Sequence, residues 1–573
     1  MSPSSLSVQV EEEHGPDQTI VRLGTARTAF VGRTLRGPVN QATLITSFTE
    51  FQHAFGGLWQ PSLLGYAVEQ FFDHGGREAL IVRVVNGARS ATLTLKAGAA
   101  ALRLRAVRPG TREFLRASVD YDNIAVENTA EFNLTVQRVR AQGTALVEDQ
   151  EIFHALSLLP TAESYLPRAL SASSLVRLAG EVPAQRPDQT LDAVSGLASG
   201  YVNSNSDGDD GAPLTDYDLI GSEIERTGIF ALSGAAYFNF LCIPPVSRDQ
   251  DIGPSALLVG ARYCKERRAL LIVDPPSGWH TADDALRGMR DWGFCNENAL
   301  MYFPRVLAHD KLRGHFESFA PCGAVAGMLA RCDEAAPVWA PAKNDEAVLR
   351  PGYRPTCLVT EDRRMRLASL GVNTIQAVRS AARIGVTART LAAGTAASAD
   401  WQYLAARRVA LFIINSIERG TRWLATAAPH VEIAEAAASQ VRAFFEALHE
   451  SQTFGERRMQ DAFFVACEPR IVAVEPCTAD SEPPAAAAEP PVAGGEPRVA
   501  GGEPRVAGGE PRVEFHLLIG FAARVKPGFH SFRIVHSASG GKVLTRTLGR
   551  LTDEHYSPAE LEWVDGLART LSG

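Results

Sequence analysis

"ALLIVDPP", Ala269–Pro276, is the stretch on which the fold turns. It reads as a strand that ends on an Asp-Pro-Pro corner. "FNFLCIPP" (Phe238–Pro245) is a strand of the same kind, Gly253–Arg267 between the two reads as a helix, and "ALMYFPRV" (Ala299–Val306) adds a third strand. Alternation of strand and helix predicts an α/β fold, with a mixed, mainly parallel sheet covered by helices.

The same texture precedes this region. "TAFVGRTLRGPVNQATLIT" gives a strand, a Gly37-Pro38 turn and a second strand, and Ser47 with Glu50 makes a capping box for a short helix. A helix from Ser62 to His74 ends at Gly75-Gly76, and "ALIVRVV" (Ala79–Val85) is apolar enough to be a strand buried on both faces. Between Ala88 and Val147 the texture changes. "ATLTLKA", "ALRLRAV", "EFLRASVDY" and "EFNLTVQRV" alternate apolar and polar residues, as an inserted antiparallel β-rich domain does. From Trp401 to Phe454 the chain reads as helical, with "VALFIINSI" apolar nearly all round and therefore buried. These changes divide the chain into an N-terminal arm (1–24), a first part of the core (25–87), the β-rich insertion (88–205), the α/β core (206–395), a helical part (396–478), a linker (479–512), C-terminal strands or arm (513–536) and an extension (537–573).

With 573 residues, the chain holds roughly three or four domains' worth of material. A net charge of −8 without a dense Lys/Arg run argues against a nucleic-acid binder. "MSPSSLSVQVEEEHG" lacks the basic and apolar regions of a signal peptide, and no apolar run approaches a membrane span. The 8 cysteines form no CxxC pair, which fits free thiols in a reducing compartment, a cytoplasm.

No catalytic constellation emerges. Asp274 stands where an α/β sheet places its ligands, past the carboxyl end of a strand, but no GxGxxG, Walker loop, GxSxG or HExxH accompanies it. Its alternative is a loop-capping Asp before Pro275-Pro276. Asn203, Asn205, Asp207 and Gly208 resemble half of a calcium loop, yet the position of the bidentate Glu is Leu214. Cys322 and Cys332 read as buried thiols, and Arg407-Arg408 as internal salt-bridge formers. The reading is of a chain with no cofactor and no metal, not an enzyme.

In this order and spacing the pieces resemble the contractile tail sheath proteins of phage tails and phage-tail-like injection systems. The resemblance rests on Thr25–Leu58 with Leu63–Val85, on "SDGDDGAPLTDYDLIG" (Ser206–Gly221), on "ALLIVDPP", and on "AFFVACE" with "IGFAARVKPGFHSFRI". Its strongest part is "WQYLAARRVALFIINSIERGTRWLATAAPH", through Trp401, Tyr403, Arg407, Arg408, Ser416, Ile417, Glu418, Gly420, Thr421, Trp423 and Pro429. The resemblance implies a structural subunit that stacks as six-fold rings into a helical tube around an inner tube, and contracts to drive that tube through a target envelope. It implies as partners further copies of the chain, an inner tube protein, and baseplate and terminal cap proteins. Assembly is expected in a bacterial cytoplasm, within a phage tail or a released phage-tail-like particle. A minor sheath paralogue at the baseplate or terminal end is the alternative within the family. A cytosolic α/β enzyme with a site near Asp274 is the alternative outside it, and needs a concave pocket with perturbed carboxylates there.

Family members link subunits through extended arms. Here "LSVQVEE" (Leu6–Glu12) and Phe529–Ile534 are strand-like pieces at opposite ends, expected outside the compact body. Leu6, Val8, Val10, Phe529, Phe532 and Ile534 are therefore expected at strand contacts between subunits. By analogy with the family, the helix at Ile433–Glu450 is expected to face the inner tube through Arg442, Glu446 and His449. "EPPVAGGEPRVAGGEPRVAGGEPRV" (Glu489–Val513) is a flexible heptad repeat that Pro and paired Gly keep from being a coiled coil. It is either a tether or a tolerated loop expansion, and the second is preferred for its length. On the extension, Ser557, Pro558 and Glu560 open a short helix striped by Leu561, Val564, Leu567 and Leu571.

Overall fold

The computed structural model describes residues 19–141, 146–191, 200–340, 347–378, 381–384, 388–392, 401–427, 430–472, 512–522, 529–537 and 543–547. The chain divides into two compact units, Gly24–Val409 and Met1–Leu23 with Ala410–Gly573.

In the first unit, β1 (Thr28–Gly32), β2 (Thr43–Ile45), α1 (Phe48–Phe55), α2 (Leu64–Asp73) and β3 (Ala79–Arg83) come first. The helix α1 starts where Ser47 Oγ accepts the Glu50 amide at 3.2 Å, while the Glu50 carboxylate takes the Thr46 amide at 2.7 Å. It stops at Gly56, whose φ of 90° is a left-handed cap. Next comes the insertion: β4 (Thr92–Ala97), β5 (Ala100–Ala106), β6 (Leu115–Asp120), β7 (Glu131–Val139), β8 (Val147–Ser157), α3 (Leu166–Ser171), β9 (Val176–Leu178) and β10 (Val202–Asn203). These strands form two antiparallel sheets, ordered β4-β5-β9 and β10-β6-β7-β8. Leu93, Leu102, Leu104, Val119, Phe132 and Leu134 belong to their shared core.

The α/β pattern then resumes with α4 (Asp216–Ile220), β11 (Phe240–Cys242), α5 (Pro254–Arg267), β12 (Leu270–Val273), α6 (Ala282–Trp292), β13 (Ala299–Phe303), β14 (Val306–Asp310), β15 (His315–Phe319), α7 (Cys322–Ala335), β16 (Arg354–Pro355), α8 (Glu361–Ser369), β17 (Val372–Val378) and β18 (Ala381–Ile384). The central sheet has the order β18-β17-β13-β12-β11-β1-β3-β2. From β17 to β3 every pair is parallel, and only the two outermost pairs are antiparallel. This is the mixed, mainly parallel sheet that "ALLIVDPP" predicts. "ALMYFPRV" is not one strand, however. It breaks at Phe303-Pro304, where proline withholds a ladder N–H, and Val306 opens β14 of a separate three-stranded sheet.

Helices cover both faces of the central sheet. On one face Leu219 of α4, Leu257 of α5, Leu286 of α6 and Leu367 of α8 join Val31, Leu241, Leu271 and Met301 in one core. On the other, α2 and α7 run against each other, and Phe71 of α2 meets Phe30 of β1 edge-on at 5.5 Å. The α2–α7 approach is backbone to backbone. A Cβ on Gly323 would collide with the Ala67 carbonyl, and one on Gly327 with the Phe71 carbonyl. Small residues four apart on α7 thus set how near the two helices come.

The second unit holds most of α9 (Leu404–Gly420), α10 (Val431–Glu450), β19 (Phe463–Val472), β20 (Arg512–Ala522), β21 (Phe529–Ser537) and β22 (Val543–Thr547). The four strands form an antiparallel sheet in sequence order. Phe445 of α10 stacks on Phe463 of β19 at 4.9 Å, and Phe454, Phe521 and Phe532 extend the aromatic cluster. Residues 473–511, which carry all but the last two residues of the repeat, lie outside the described residues, but the strands that flank them do not: Val472 and Arg512 are cross-strand partners. The repeat therefore joins the two strands of a hairpin, and spans no gap.

Two expectations follow. Gly327→Ala drives a methyl into the Phe71 carbonyl and should destabilise the chain by about 1–3 kcal/mol in thermal or urea unfolding, despite alanine's better helix propensity. Deleting 489–509 shortens a hairpin connection whose closure cost changes by only about 0.6 kcal/mol per doubling of length. The variant should unfold within about 1 kcal/mol of the native chain. A larger loss would mean that the repeat packs on the fold.

Candidate functional site

In the second unit, both ends of the chain are gripped by one stretch of helix. Leu23 N donates to Ser416 Oγ at 3.3 Å, and Ile20, 5% exposed, fills the space that glycine leaves at Gly420, where a Cβ would come within 2.8 Å of it. Arg22 reaches the end of α10, donating to the Ala447 carbonyl at 2.9 Å and to Ser451 Oγ at 3.0 Å. One residue further along, Thr421 Oγ1 donates to the Ile417 carbonyl at 2.7 Å and meets Nε2 of His536, on β21, at 2.9 Å. His536 is fully buried, and burial lowers its pKa to about 4, so the imidazole is neutral at physiological pH. Beside it, Glu418 pairs with Arg422 at 2.9 Å, and Trp423 Nε1 donates to Gln440 of α10 at 3.1 Å.

The earlier half of the same sequence signature works within the first unit. Arg407, 3% exposed, donates to Asn298 Oδ1 at 2.6 Å, pairs with Glu297 at 3.4 Å and lies over the Trp401 ring. Arg408 pairs with Asp333, whose carboxylate also accepts the Thr25 hydroxyl at 2.6 Å. Both arginines are internal salt-bridge formers, as their setting on a buried helix suggests.

The expected assembly residues fall in different places. Leu6, Val8 and Val10 lie outside the described residues, as does the side chain of Phe529. The sequence places Phe532 and Ile534 on an arm outside the compact body. They lie instead in the C-terminal sheet of their own chain, at 1% and 0% exposure, on a strand paired to β20 and to β22. Arg442 is exposed on α10, while Glu446 and His449 are half-buried and His449 Nε2 meets the Arg457 carbonyl at 2.7 Å. The striped helix expected at 557–571 lies outside the described residues, but the extension contributes β22, which the sequence did not announce.

The acidic glycine loop is a latch. Asp207 accepts the Thr92 amide and hydroxyl at 2.8 and 2.6 Å, and Asp210 those of Thr111 at 2.9 and 2.7 Å. Asn205 donates to Thr92 Oγ1 at 2.9 Å, and Leu214 is in the core. Asp209, between Asp207 and Asp210, accepts the Gly211 amide of the loop itself at 2.6 Å. Among the described residues no group of three His, Cys, Asp or Glu is placed to hold a metal ion.

Asp274 ends β12 as expected, but what it caps is a helix. Its Oδ1 accepts the Cys322 amide at 2.9 Å, at the first residue of α7, while Oδ2 has no hydrogen-bond partner among the described residues. A cavity lined by Ile243, Asp251, Leu257, Val273 and Trp292 adjoins it. Burial raises the Asp274 pKa to about 6, against the opposing pull of the Cys322 thiol, Arg305 and the Cys322 amide. Asp251 beside it is taken up by Arg305 at 2.5 Å and by the Ser277 amide at 2.7 Å. With the Asp251 carboxylate tied to Arg305 and Ser277 and the Cys322 thiol buried, Asp274 reads as a helix cap more than as half of a catalytic pair. Burial also pushes up the thiol pKa values of Cys242, Cys264 and Cys322, which are inert, buried thiols.

Neither protein-family models nor curated protein sequences match the chain. Solved structures do. The fold is similar to that of a sheath tail protein from Listeria innocua, with a TM-score of 0.54 over 93% of this chain and 96% of that one, at 12% identity. A sheath tail protein from Desulfitobacterium hafniense gives 0.48 at 11% identity, over 93% of this chain and 100% of that one. The sheath of an extracellular contractile injection system, in its contracted state, gives 0.45 at 14% identity, over 83% and 89%. The chain has the fold of a sheath tail protein.

The Asp274 pKa gives a signed prediction. The folded chain holds this proton more tightly than the unfolded one, so the group costs stability as pH rises from about 4 to 6, by up to about 3 kcal/mol. Asp274→Asn keeps an acceptor for the Cys322 amide and has no proton to lose. In urea unfolding at a series of pH values, the variant should gain on the native chain through that window and keep a constant advantage above it. Parallel curves would mean that Asp274 titrates normally.

Proposed function

We propose that the chain is a structural subunit of a contractile sheath. It polymerises as stacked six-fold rings into a helical tube around an inner tube, and shortening of the sheath drives that tube through a target envelope. The observation that carries this reading is the likeness of fold to the Listeria innocua sheath tail protein, which runs through nearly the whole of both chains. The anchorage on α9 supports it. Residues before Ile20 leave from a fixed point, so a strand at Leu6–Glu12 is positioned to add to an open sheet edge in another copy, with Leu6, Val8 and Val10 setting its register. The edge strands β19 and β22 of the C-terminal sheet are the kind of edge that receives such a strand. Phe532 and Ile534 serve the contact from inside, by holding β21 in place between them.

On this reading the exposed Arg442, with Glu446 and His449 one and two turns on, faces the inner tube. Baseplate and terminal cap proteins bound the sheath, which is assembled in a bacterial cytoplasm for a phage tail or a released phage-tail-like particle.

Negative-stain microscopy of the purified chain tests the proposal. Native protein should form striated tubes. Removing residues 1–18, which leaves the Ile20 anchor intact, should reduce these to single rings or unassembled subunits, and Arg442→Glu should give tubes that retain less inner tube. A native chain that stays monomeric at every concentration, with or without inner tube protein, would sink the sheath reading.

A further inference from the structure

Two surfaces of the first unit carry apolar and charged groups that the chain leaves unused. One is on the β14–β15 hairpin and β16. Phe316 and Leu312 are 48% and 47% exposed, the Arg354 guanidinium lies over the Phe316 ring at 5.1 Å, and His309 meets that ring edge-on at 5.6 Å. Lys311 is paired with Glu69, and both Arg313 and His315 with Glu317. Arg354, itself exposed, has no carboxylate partner among the described residues. An open aromatic ring under an unpaired arginine is the composition of an interface hot spot.

The other surface follows α4. Tyr217 is 84% exposed and Ile224 96%, the latter between the exposed Glu223 and Glu225. Neither glutamate has an ion-pair partner among the described residues, whereas Asp216 and Asp218 nearby are committed to capping α5 and α4. Arg226 borders the patch and leaves it acidic overall.

We propose that the two surfaces are the halves of one contact between copies of this chain: Leu312, Phe316 and Arg354 of one copy against Tyr217, Ile224, Glu223 and Glu225 of the next. Each half pairs two exposed apolar side chains with unbalanced charge, and the charges are opposite. Unlike patches that meet in this way form a heterologous contact, which repeats from copy to copy instead of closing as a two-fold dimer. The inference rests on the sheath reading and deepens it, by naming where the folded bodies touch apart from any arm.

A charge exchange in the full-length chain tests it, with self-assembly followed by sedimentation and negative-stain microscopy. Arg354→Glu should raise the concentration needed for assembly at least about tenfold, and Glu223→Arg with Glu225→Arg should do the same. Joining the three substitutions in one chain should recover most of the loss. All the altered residues are exposed, so thermal unfolding should be unchanged and should separate misfolding from lost contact. Unaltered assembly in either variant, or no recovery in the combined chain, overturns the contact while native tubes keep the sheath reading intact. So does an Arg354→Glu chain that assembles normally but loses inner tube, since the surface then belongs to that partner. A native chain that never associates overturns both.

Discussion

The fold depends on β1 being paired on both sides. It lies parallel to β3 on one edge and to β11 on the other, so residues far apart in the chain are neighbours in one sheet. The whole β-rich insertion must therefore leave after β3 and return before β11 at almost the same place. Buried polar groups close that junction. Arg83, 1% exposed, donates to the Gly37 and Pro109 carbonyls at 2.8 Å each, and its pKa, lowered by burial to about 10, still leaves it charged. Asp207 and Asp210 fasten the returning loop to Thr92 and Thr111. The inserted domain is thus held to the core at both crossings.

The remaining helices are fitted with little slack. Gly323 and Gly327 let α7 run against α2, and Asp274 accepts the first amide of α7 from the end of the central strand β12. In the second unit Gly420 makes room for Ile20 and Thr421 holds His536, two adjacent positions that tie down a segment from each end of the chain. The closest helix contacts and the anchor points of Ile20 and His536 are thus specified by a handful of small or polar side chains.

Those choices explain what could be read in advance. Strands such as Leu270–Val273 and Ala79–Arg83 were legible because burial on both faces demands an unbroken apolar run. The residues Trp401, Arg407, Arg408, Ser416, Gly420, Thr421 and Trp423 stood out together because nearly every one contacts a distant segment. Helix α7 was harder: its small and apolar residues are buried all round, and no polar face marks a period. The glycines four apart at Gly323 and Gly327 were the available signal. Phe532 and Ile534 alternate as a strand should, but a strand does not name its partner. With β20 separated from β19 by the repeat, the sheet they share was invisible along the sequence.

The opposed pair Val472 and Arg512 has one more consequence. A connection whose flanking strands already pair places little demand on its length, so replication slippage can add or remove heptads without touching the sheet. The same indifference makes it an entry point for cargo. A folded passenger with neighbouring termini, spliced in place of residues 489–509, should leave the pairing of β19 with β20 intact.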